Sequence, residues 1–377
     1  MISLCIPNLS GNEKKYLNDC IDTTYVSSVG PYVSKFEEYL ARVSGTNYAV
    51  ATSAGTTALH ITLVACGVQN GDLVIIPSYT FIATANAVSH CGASPLLVDV
   101  TYDDWTINID QIQEILYSKT IKSNNKLIYV PTGQRIAAII PVYTLGNIAK
   151  MEKLCSIAAK FEIPLIADAA AAIGALYKGK PIGKLATAST FSFNGNKTIT
   201  TGGGGAVITD NKLLAEKIRH LLSTARVGIT YTHDEVGYNY RMTNLAAAVG
   251  CAQIEKLSVF INRKKEIRQY YDEELKDLPG VELFPDQLDN GVCWFSGLVL
   301  DSEVAIVEMI EVLKQNEIEA RTFWKPMHLQ PPYQNCLKTD MSVCENFWNR
   351  VLTLPSSTGI TNEELEKVVD VIRRNWS

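Results

Sequence analysis

The sequence predicts an α/β protein: a mostly parallel central sheet flanked by helices, joined to a smaller α/β domain in the C-terminal part. Three observations carry that expectation. From residue 48 to residue 210, short apolar runs of strand length alternate with segments whose apolar residues recur at helical spacing, the pattern of a parallel sheet covered on both faces. At 377 residues the chain exceeds what one compact core accommodates. A long helical pattern beginning at Leu245 then separates the alternating part from a second set of strand-like and helix-like runs, so the expected division is 1–240 and 241–377.

In chain order, residues 32–43 keep Phe36, Tyr39, Leu40 and Val43 at helical spacing and read as a helix laid on the main body. Residues 48–60 give a short strand, a small-residue turn, and a helix whose Leu59, Leu63 and Cys66 share one face and which Gly67 ends. Asn70, Gly71 and Asp72 turn the chain into a strand at 73–76, residues 78–81 lead into a helix reaching about His90, and 95–98 is the next apolar run. Ile109, Ile112 and Leu116 mark a helix face, residues 137–142 a buried strand, and Met151, Leu154, Cys155 and Ala158 another helix face. Strands are expected at 165–168, 188–193 and 206–210, a helix at 212–223, and a polar irregular stretch at 224–234. One continuous helix is expected from Leu245 through Leu275 as the bridge into the second domain. There, residues 292–300 and 319–323 read as strands, 302–316 and 362–374 as helices, and the Pro-rich stretch 324–333 as a rigid loop.

Bulk properties narrow the function. The net charge is −5, with basic residues scattered rather than clustered, which argues against a nucleic-acid partner. The longest apolar runs fall short of the roughly 18 residues that a membrane span needs, and the first ten residues lack a basic region followed by an apolar one. A soluble, cytoplasmic protein is expected. The nine cysteines are odd in number, sit mostly inside apolar segments and form no Cys-x-x-Cys pair, so they read as reduced core residues with no metal site.

Two residues stand where such a sheet collects its ligands, at strand ends. In Ala188-Ser-Thr-Phe-Ser-Phe-Asn-Gly-Asn-Lys197 an apolar strand is broken by Asn194, Gly195 and Asn196, which leaves one lysine on the following turn. Such a lysine can form a Schiff base with an aldehyde cofactor, and Gly202, Gly203, Gly204 and Gly205 let backbone pass close to a flat ring. Asp168 ends the strand before it, where burial alone raises a carboxyl pKa and calls for a cationic partner such as a protonated pyridine nitrogen. The turn Ser53-Ala-Gly-Thr-Thr57 opens a helix, and its free N–H groups, hydroxyls and dipole suit a phosphate. Phe81 is a candidate for the flat group that covers a ring, and His328 is a donor on the Pro-rich loop.

Seven blocks in order are similar to one family. They are Ser53-Ala-Gly-Thr-Thr-Ala-Leu-His60, Pro77-Ser-Tyr-Thr-Phe-Ile-Ala-Thr-Ala-Asn86, Asp168-Ala-Ala, Phe191-Ser-Phe-Asn-Gly-Asn-Lys197, residues 200–205, Gly237-Tyr-Asn-Tyr-Arg241 and Lys325-Pro-Met-His-Leu-Gln-Pro-Pro332. From about Asn8 onward the chain resembles the nucleotide-sugar aminotransferases of the DegT/DnrJ/EryC1/StrS family. Its opening residues 6–13, the block ending at Lys197 and the block from Trp324 to His328 look most like the branch acting on UDP-linked 4-keto-6-deoxy-N-acetylhexosamines.

The resemblance implies a pyridoxal-phosphate (PLP) transferase of fold type I that transfers an amino group from glutamate to a nucleotide-linked 4-ketosugar. It also implies a homodimer with active sites at the subunit interface. By the same likeness Lys197 holds the cofactor, Asp168 pairs with its ring nitrogen, Gly55, Thr56 and Ser192 bind its phosphate and Phe81 stacks on its ring, and the Ser53 hydroxyl of the anion-binding turn joins the expected cofactor contacts. Asn239 and Arg241 match a segment that reaches the partner's site near the phosphate, and Lys325 and His328 match a substrate loop. Ala171 stands where relatives often carry Gln or His. A GDP- or dTDP-linked sugar is the alternative. Lys197 disfavours the relatives that replace this lysine with histidine, the lack of a tight cysteine cluster disfavours a cluster-dependent dehydratase, and an intact site disfavours a non-catalytic regulator.

Overall fold

Seven short strands build the central sheet: β1 (Tyr48–Thr52), β2 (Leu73–Pro77), β3 (Ser94–Val98), β4 (Gln134–Ile139), β5 (Ile166–Asp168), β6 (Ala188–Ser192) and β7 (Gly205–Thr209). The computed structural model describes residues 1–286 and 288–376. Every residue of β2, β5 and β7 is buried, as expected for strands covered on both faces. Across the sheet the order is β3, β2, β4, β5, β6, β7, β1, with β4 and β5 joined by the parallel bridges Ile139 to Leu165 and Val142 to Asp168. β7 runs antiparallel to both β6 and β1, and the other neighbouring pairs are parallel. The carboxyl ends of six strands therefore share one rim. That rim carries Thr52, Pro77, Asp168 and Ser192, and β7 starts there at Gly205, opposite Thr52 and Ser192.

The helices are α1 (Glu13–Asp22), α2 (Pro31–Ser44), α3 (Gly55–Ala65), α4 (Ile82–His90), α5 (Ile109–Ser118), α6 (Met151–Phe161), α7 (Lys212–Leu221), α8 (Asn244–Ile254), α9 (Leu257–Leu275), α10 (Glu303–Gln315), α11 (Ser342–Phe347) and α12 (Asn362–Asn375). On one face of the sheet, α2, α5, α6 and α8 contribute Phe36, Leu40, Ile112, Leu154, Ala247 and Cys251 to a single core. On the other, Leu59 and Leu63 of α3 join Ala85 and Val88 of α4, and Ile218 of α7 packs against Ile61 and Val207. Side-chain caps fix where several helices begin: Asn108, Asn211, Thr243, Ser302 and Thr361 each accept from a backbone N–H of the first turn.

A second sheet holds β8 (Glu282–Leu283), β9 (Ser296–Val299), β10 (Arg321–Thr322) and β11 (Val351–Leu354) in the order β8, β9, β11, β10, all antiparallel. α9, α10 and α12 pack with it around Tyr271, Leu313, Val368 and Ile372. Among the described residues no single helix is long and apolar enough to cross a membrane.

The structure corrects several expectations. The helix from Leu245 to Leu275 is two, α8 and α9, which meet at a 62° bend. No Pro or Gly marks that corner; it lies where an all-round apolar helix inside the large core gives way to an amphipathic one, and Asn12 and Tyr16 of the large domain hold Glu255 there. The packing boundary shifts accordingly. α8 and the start of α9 belong to the first core, whereas Ile2, at the other end of the chain, pairs with Ile318 and belongs to the small-domain core. The division at 240 and 241 thus falls before the change in packing, and the first residues lie in the second unit. The strand expected at 292–300 is regular only at 296–299, and Cys293, at a positive φ of 49°, breaks the extended run ahead of it. The polar stretch 224–234 contains a short hairpin, Arg226–Val227 with Thr232–His233. A further hairpin, Thr120–Ser123 with Lys126–Tyr129, turns through Asn124 and Asn125, both at positive φ, a signal that sequence reading passed over. Leu337–Lys338, also unanticipated, extends the main sheet beside β3.

Candidate active site

A cavity of about 430 Å³ opens on the strand-end rim, with a floor from the large domain and a wall from the small one. Gly55, Thr56, Asp168, Ser192 and Lys197 line the floor, and Trp294, Arg321, Thr322, Phe323 and Trp324 line the wall. Five residues picked from three separate blocks of sequence thus meet in one place.

Lys197 is held up by a closed loop. After β6, Phe193 N–H donates to Gly204 O at 2.8 Å and Thr201 N–H donates back to Phe193 O at 3.0 Å, so the chain between them forms a knuckle, with Lys197 N–H donating to Asn194 O at 3.0 Å. Its amine lies 3.5 Å from the centre of the Trp294 ring. Among the described residues it has no hydrogen-bond or ion-pair partner. Burial pushes its pKa down to about 8, against the opposing charge of Asp168.

Asp168 is 5% exposed. Thr84 Oγ1 donates to its Oδ2 at 2.7 Å and Ala170 N–H donates to its Oδ1 at 3.1 Å. Burial raises its pKa, while those two hydrogen bonds and the charge of Lys197 pull the other way. No ion pair to Asp168 exists among the described residues, so a buried carboxylate faces the cavity without a cation, an arrangement that favours a positively charged ligand atom.

The start of α3 faces the same cavity. Thr52 and Thr57 hydroxyls both donate to Ala54 O, at 2.9 and 2.8 Å, which closes the turn. The N–H groups of Gly55 and Thr56 have no acceptor among the described residues, and the first turn carries no acidic side chain. These orphan donors at a helix start form an anion cradle. It is tight by construction: a Cβ on Gly55 would sit 2.7 Å from Ser192 Cβ, and one on Gly205 would sit 2.5 Å from Ala54 O.

That observation corrects the reading of the glycine run. Gly202 and Gly203 have open space where a Cβ would go, whereas Gly204 and Gly205 are pressed against Thr201, Met242 and the α3 turn. The demand for glycine at the last two comes from helix-to-strand packing, and at Gly202 from a positive φ of 80°.

The remaining candidates are distributed unevenly. Phe81 caps the start of α4 on the cavity edge, 56% exposed and 6.3 Å from Trp324 between ring centres. Ser53 does not line the cavity; its hydroxyl lies 3.3 Å from that of Thr57 and its N–H donates to Tyr240 O. Asn239 and Arg241 bridge backbone to Ser223 and Thr52 beside the cradle, outside the cavity lining of this chain. Lys325 is exposed on the far side of its loop, 5.9 Å from the Trp348 ring. His328 departs furthest from expectation. Its side chain is buried, Nδ1 pairs with Ser78 Oγ at 2.7 Å and Nε2 with Glu345 Oε1 at 2.8 Å, so both nitrogens are engaged away from the cavity and the residue staples its loop to the rim. Ala171 lines the cavity and offers no polar group there. At the surface, His220, Asp234 and Glu235 bring ligand atoms within 4.8 Å of one another, outside the cavity lining.

Sequence reasoning placed Trp324 on a pocket loop and missed Trp294, Arg321 and Thr84. The first two of these come from irregular or edge segments whose role depends on the meeting of two domains. Thr84 was legible in principle, as a polar residue on the inward face of an otherwise apolar helix.

Comparison with known proteins agrees with this geometry. Residues 7–373 match the model of the DegT/DnrJ/EryC1/StrS aminotransferase family. A putative pyridoxal phosphate-dependent aminotransferase, EpsN of Bacillus subtilis, is 35% identical over 98% of this chain and 95% of its own. GDP-perosamine synthase of Caulobacter vibrioides is 37% identical over 98% and 96%, and that of Vibrio cholerae 34% over the full length of both. Among solved structures, a family aminotransferase from Brucella abortus superposes with a TM-score of 0.87 at 26% identity, covering 97% of this chain and 95% of that one. The chain belongs to the DegT/DnrJ/EryC1/StrS aminotransferase family and is a PLP-dependent sugar aminotransferase of fold type I.

Proposed function

We propose that this enzyme transfers the amino group of glutamate to the C4 ketone of a nucleotide-linked 4-keto-6-deoxysugar, with GDP as the carrier. The observation that carries the chemistry is the meeting, on one cavity floor, of the Lys197 amine, without an ion-pair partner among the described residues, the cation-seeking Asp168 and the anion cradle. The choice of GDP over the expected UDP rests on the GDP-perosamine synthases, 34–37% identical over nearly the whole chain. A UDP-linked N-acetylhexosamine is the second reading, supported by the blocks at 6–13, 191–197 and 324–328.

The residues present fit PLP. Lys197 would hold it through the amine, Asp168 would face its ring nitrogen, and Gly55, Thr56 and Ser192 would take its phosphate, with Phe81 at its ring. When bound, the cofactor supplies an electron sink for the charge that develops at the donor carbon. The chain supplies the rest. Lys197 Nζ, lowered to about 8, exists in comparable charged and neutral fractions near that pH, so it can accept a proton from the donor Cα and return one. The low-dielectric floor keeps Asp168 effective as a counter-charge. Arg321, a cation on the wall without an acidic partner among the described residues, is placed to meet the diphosphate of the sugar nucleotide. The exposed Asn239 and the projecting hairpin tip, with Ile229 99% and Tyr231 87% exposed, support a homodimer in which each copy completes the other's site.

A mass-spectrometric screen of GDP-, UDP- and dTDP-linked 4-keto-6-deoxysugars with glutamate tests the reading. The expected result is conversion of ketone to amine with the GDP sugar; conversion of the UDP sugar alone would replace the first reading with the second, and no conversion of any would overturn both.

A further inference from the structure

The amine of Lys197 rests on the face of an indole, and we infer that Trp294 is a positioning residue for that amine, holding it in one place over the floor whenever it is not joined to the cofactor, and doing so without trapping its proton. The inference rests on the assignment of Lys197 as the cofactor lysine. Nζ lies 3.5 Å from the Trp294 ring centre, well inside the about 6 Å over which a ring quadrupole attracts a cation. The charged or titratable groups around it are Asp168, Tyr143 and Arg321, which line the same cavity, and Cys5 beside the loop. No ion pair joins any of them to it among the described residues, so the ring is the group in contact.

The indole is itself fixed with unusual thoroughness. Its Nε1–H donates to Asn196 O at 2.6 Å, its backbone N–H donates to Leu145 O at 3.1 Å, and Phe295 packs on it with ring centres 4.5 Å apart. Its carbonyl accepts from Lys264 Nζ at 2.8 Å, and the same amine donates to Ser356 O at 2.8 Å. Lys264 is 2% exposed, and a buried lysine is costly unless its donors are used. What these two bonds support is the segment that carries Trp294 over the cavity. Asn196 O, which receives the indole proton, belongs to the residue next to Lys197, so one ring is tied to the lysine's backbone and touches its side chain.

The choice of group matters physically. A carboxylate at this place would hold the ammonium strongly and keep its proton; an aliphatic wall would leave a desolvated amine free to wander among rotamers. A π face favours the charged form moderately and asks for no proton in return.

In the pyridoxamine-phosphate form, where Lys197 is free, the pH dependence of its acylation by trace acetic anhydride, read by mass spectrometry of the peptide, reports the titration of Nζ. Tetrafluorotryptophan at position 294 keeps the shape of the ring and drains its face of negative charge. The expected result is a midpoint lowered by about one pH unit, with the midpoint of the glutamate half-reaction moving equally and Trp294→Phe moving both by less. An unmoved midpoint in the fluorinated protein overturns the inference, and because the shape is retained, misfolding does not confuse the result. Borohydride reduction of the PLP form with peptide mapping separates the two claims. Label on another lysine sinks the site assignment; label on Lys197 with no shift of midpoint sinks only the role of the indole.

Discussion

The floor of the cavity and its wall are built on different principles. The floor is made of strand ends and a helix start: Asp168 ends β5, Lys197 stands on the loop after β6, and the cradle opens α3, each fixed by sheet register and by short backbone bonds. The wall is made of segments that are barely regular, the two-residue strand at Arg321, the loop at Trp324 and the kinked approach to β9 at Trp294. Regular structure places groups that must not move relative to one another, and the irregular edge is where shape can be altered without disturbing them. The contrast suits the floor to chemistry and the wall to choice of substrate, with Trp294 as the wall residue that reaches the Lys197 amine.

The contrast breaks if floor and wall variants behave alike. Lys197→Ala should have the largest effect, a fall of about 10⁴-fold in kcat in both half-reactions, measured in single turnovers with glutamate and with the sugar separately. In the parent enzyme the glutamate half-reaction should rise with pH through about 8, because the lysine must be neutral to take a proton and its pKa in the folded protein is lowered to that value; a rate flat from pH 6 to pH 9 would refute its role as base. Asp168→Asn should retain the fold and slow both half-reactions on the order of 10²–10³-fold. Arg321→Ala should raise KM for the nucleotide sugar about 10–100-fold and leave KM for glutamate nearly unchanged; the reverse pattern would move Arg321 to the donor carboxylate. Thr84→Val is the mildest, removing the 2.7 Å hydrogen bond to Asp168 and weakening cofactor affinity about tenfold or less, as read by equilibrium dialysis.

The same contrast governs what the sequence disclosed. Lys197, Asp168, Gly55 and Thr56 were legible because each sits at a punctuation point between periodic segments, and the fold then brings such points to one rim, whereas Ser192, inside a strand, was reached only through the family resemblance. Trp294 and Arg321 were not legible, since nothing local distinguishes a tryptophan in an apolar run or an arginine in a short strand until another domain closes over them. His328 misled for a related reason. A histidine on a Pro-rich loop looks available, yet two polar neighbours from distant segments, Ser78 and Glu345, consume both of its nitrogens. The two-helix corner at 255 and 256 escaped notice because its cause is a change of surroundings, with no helix-breaking residue to announce it.

The path of the chain between its two units has a mechanical consequence. Residues near Ile2 lie with the second unit, α1 lies with the first, and the corner between α8 and α9 leads back again. The chain crosses twice more around Leu337–Lys338, which lies beside β3 between β10 and β11 of the second sheet, so four stretches of covalent chain join the units. A displacement of the wall from the floor above Lys197 has to be taken up at all four of them together.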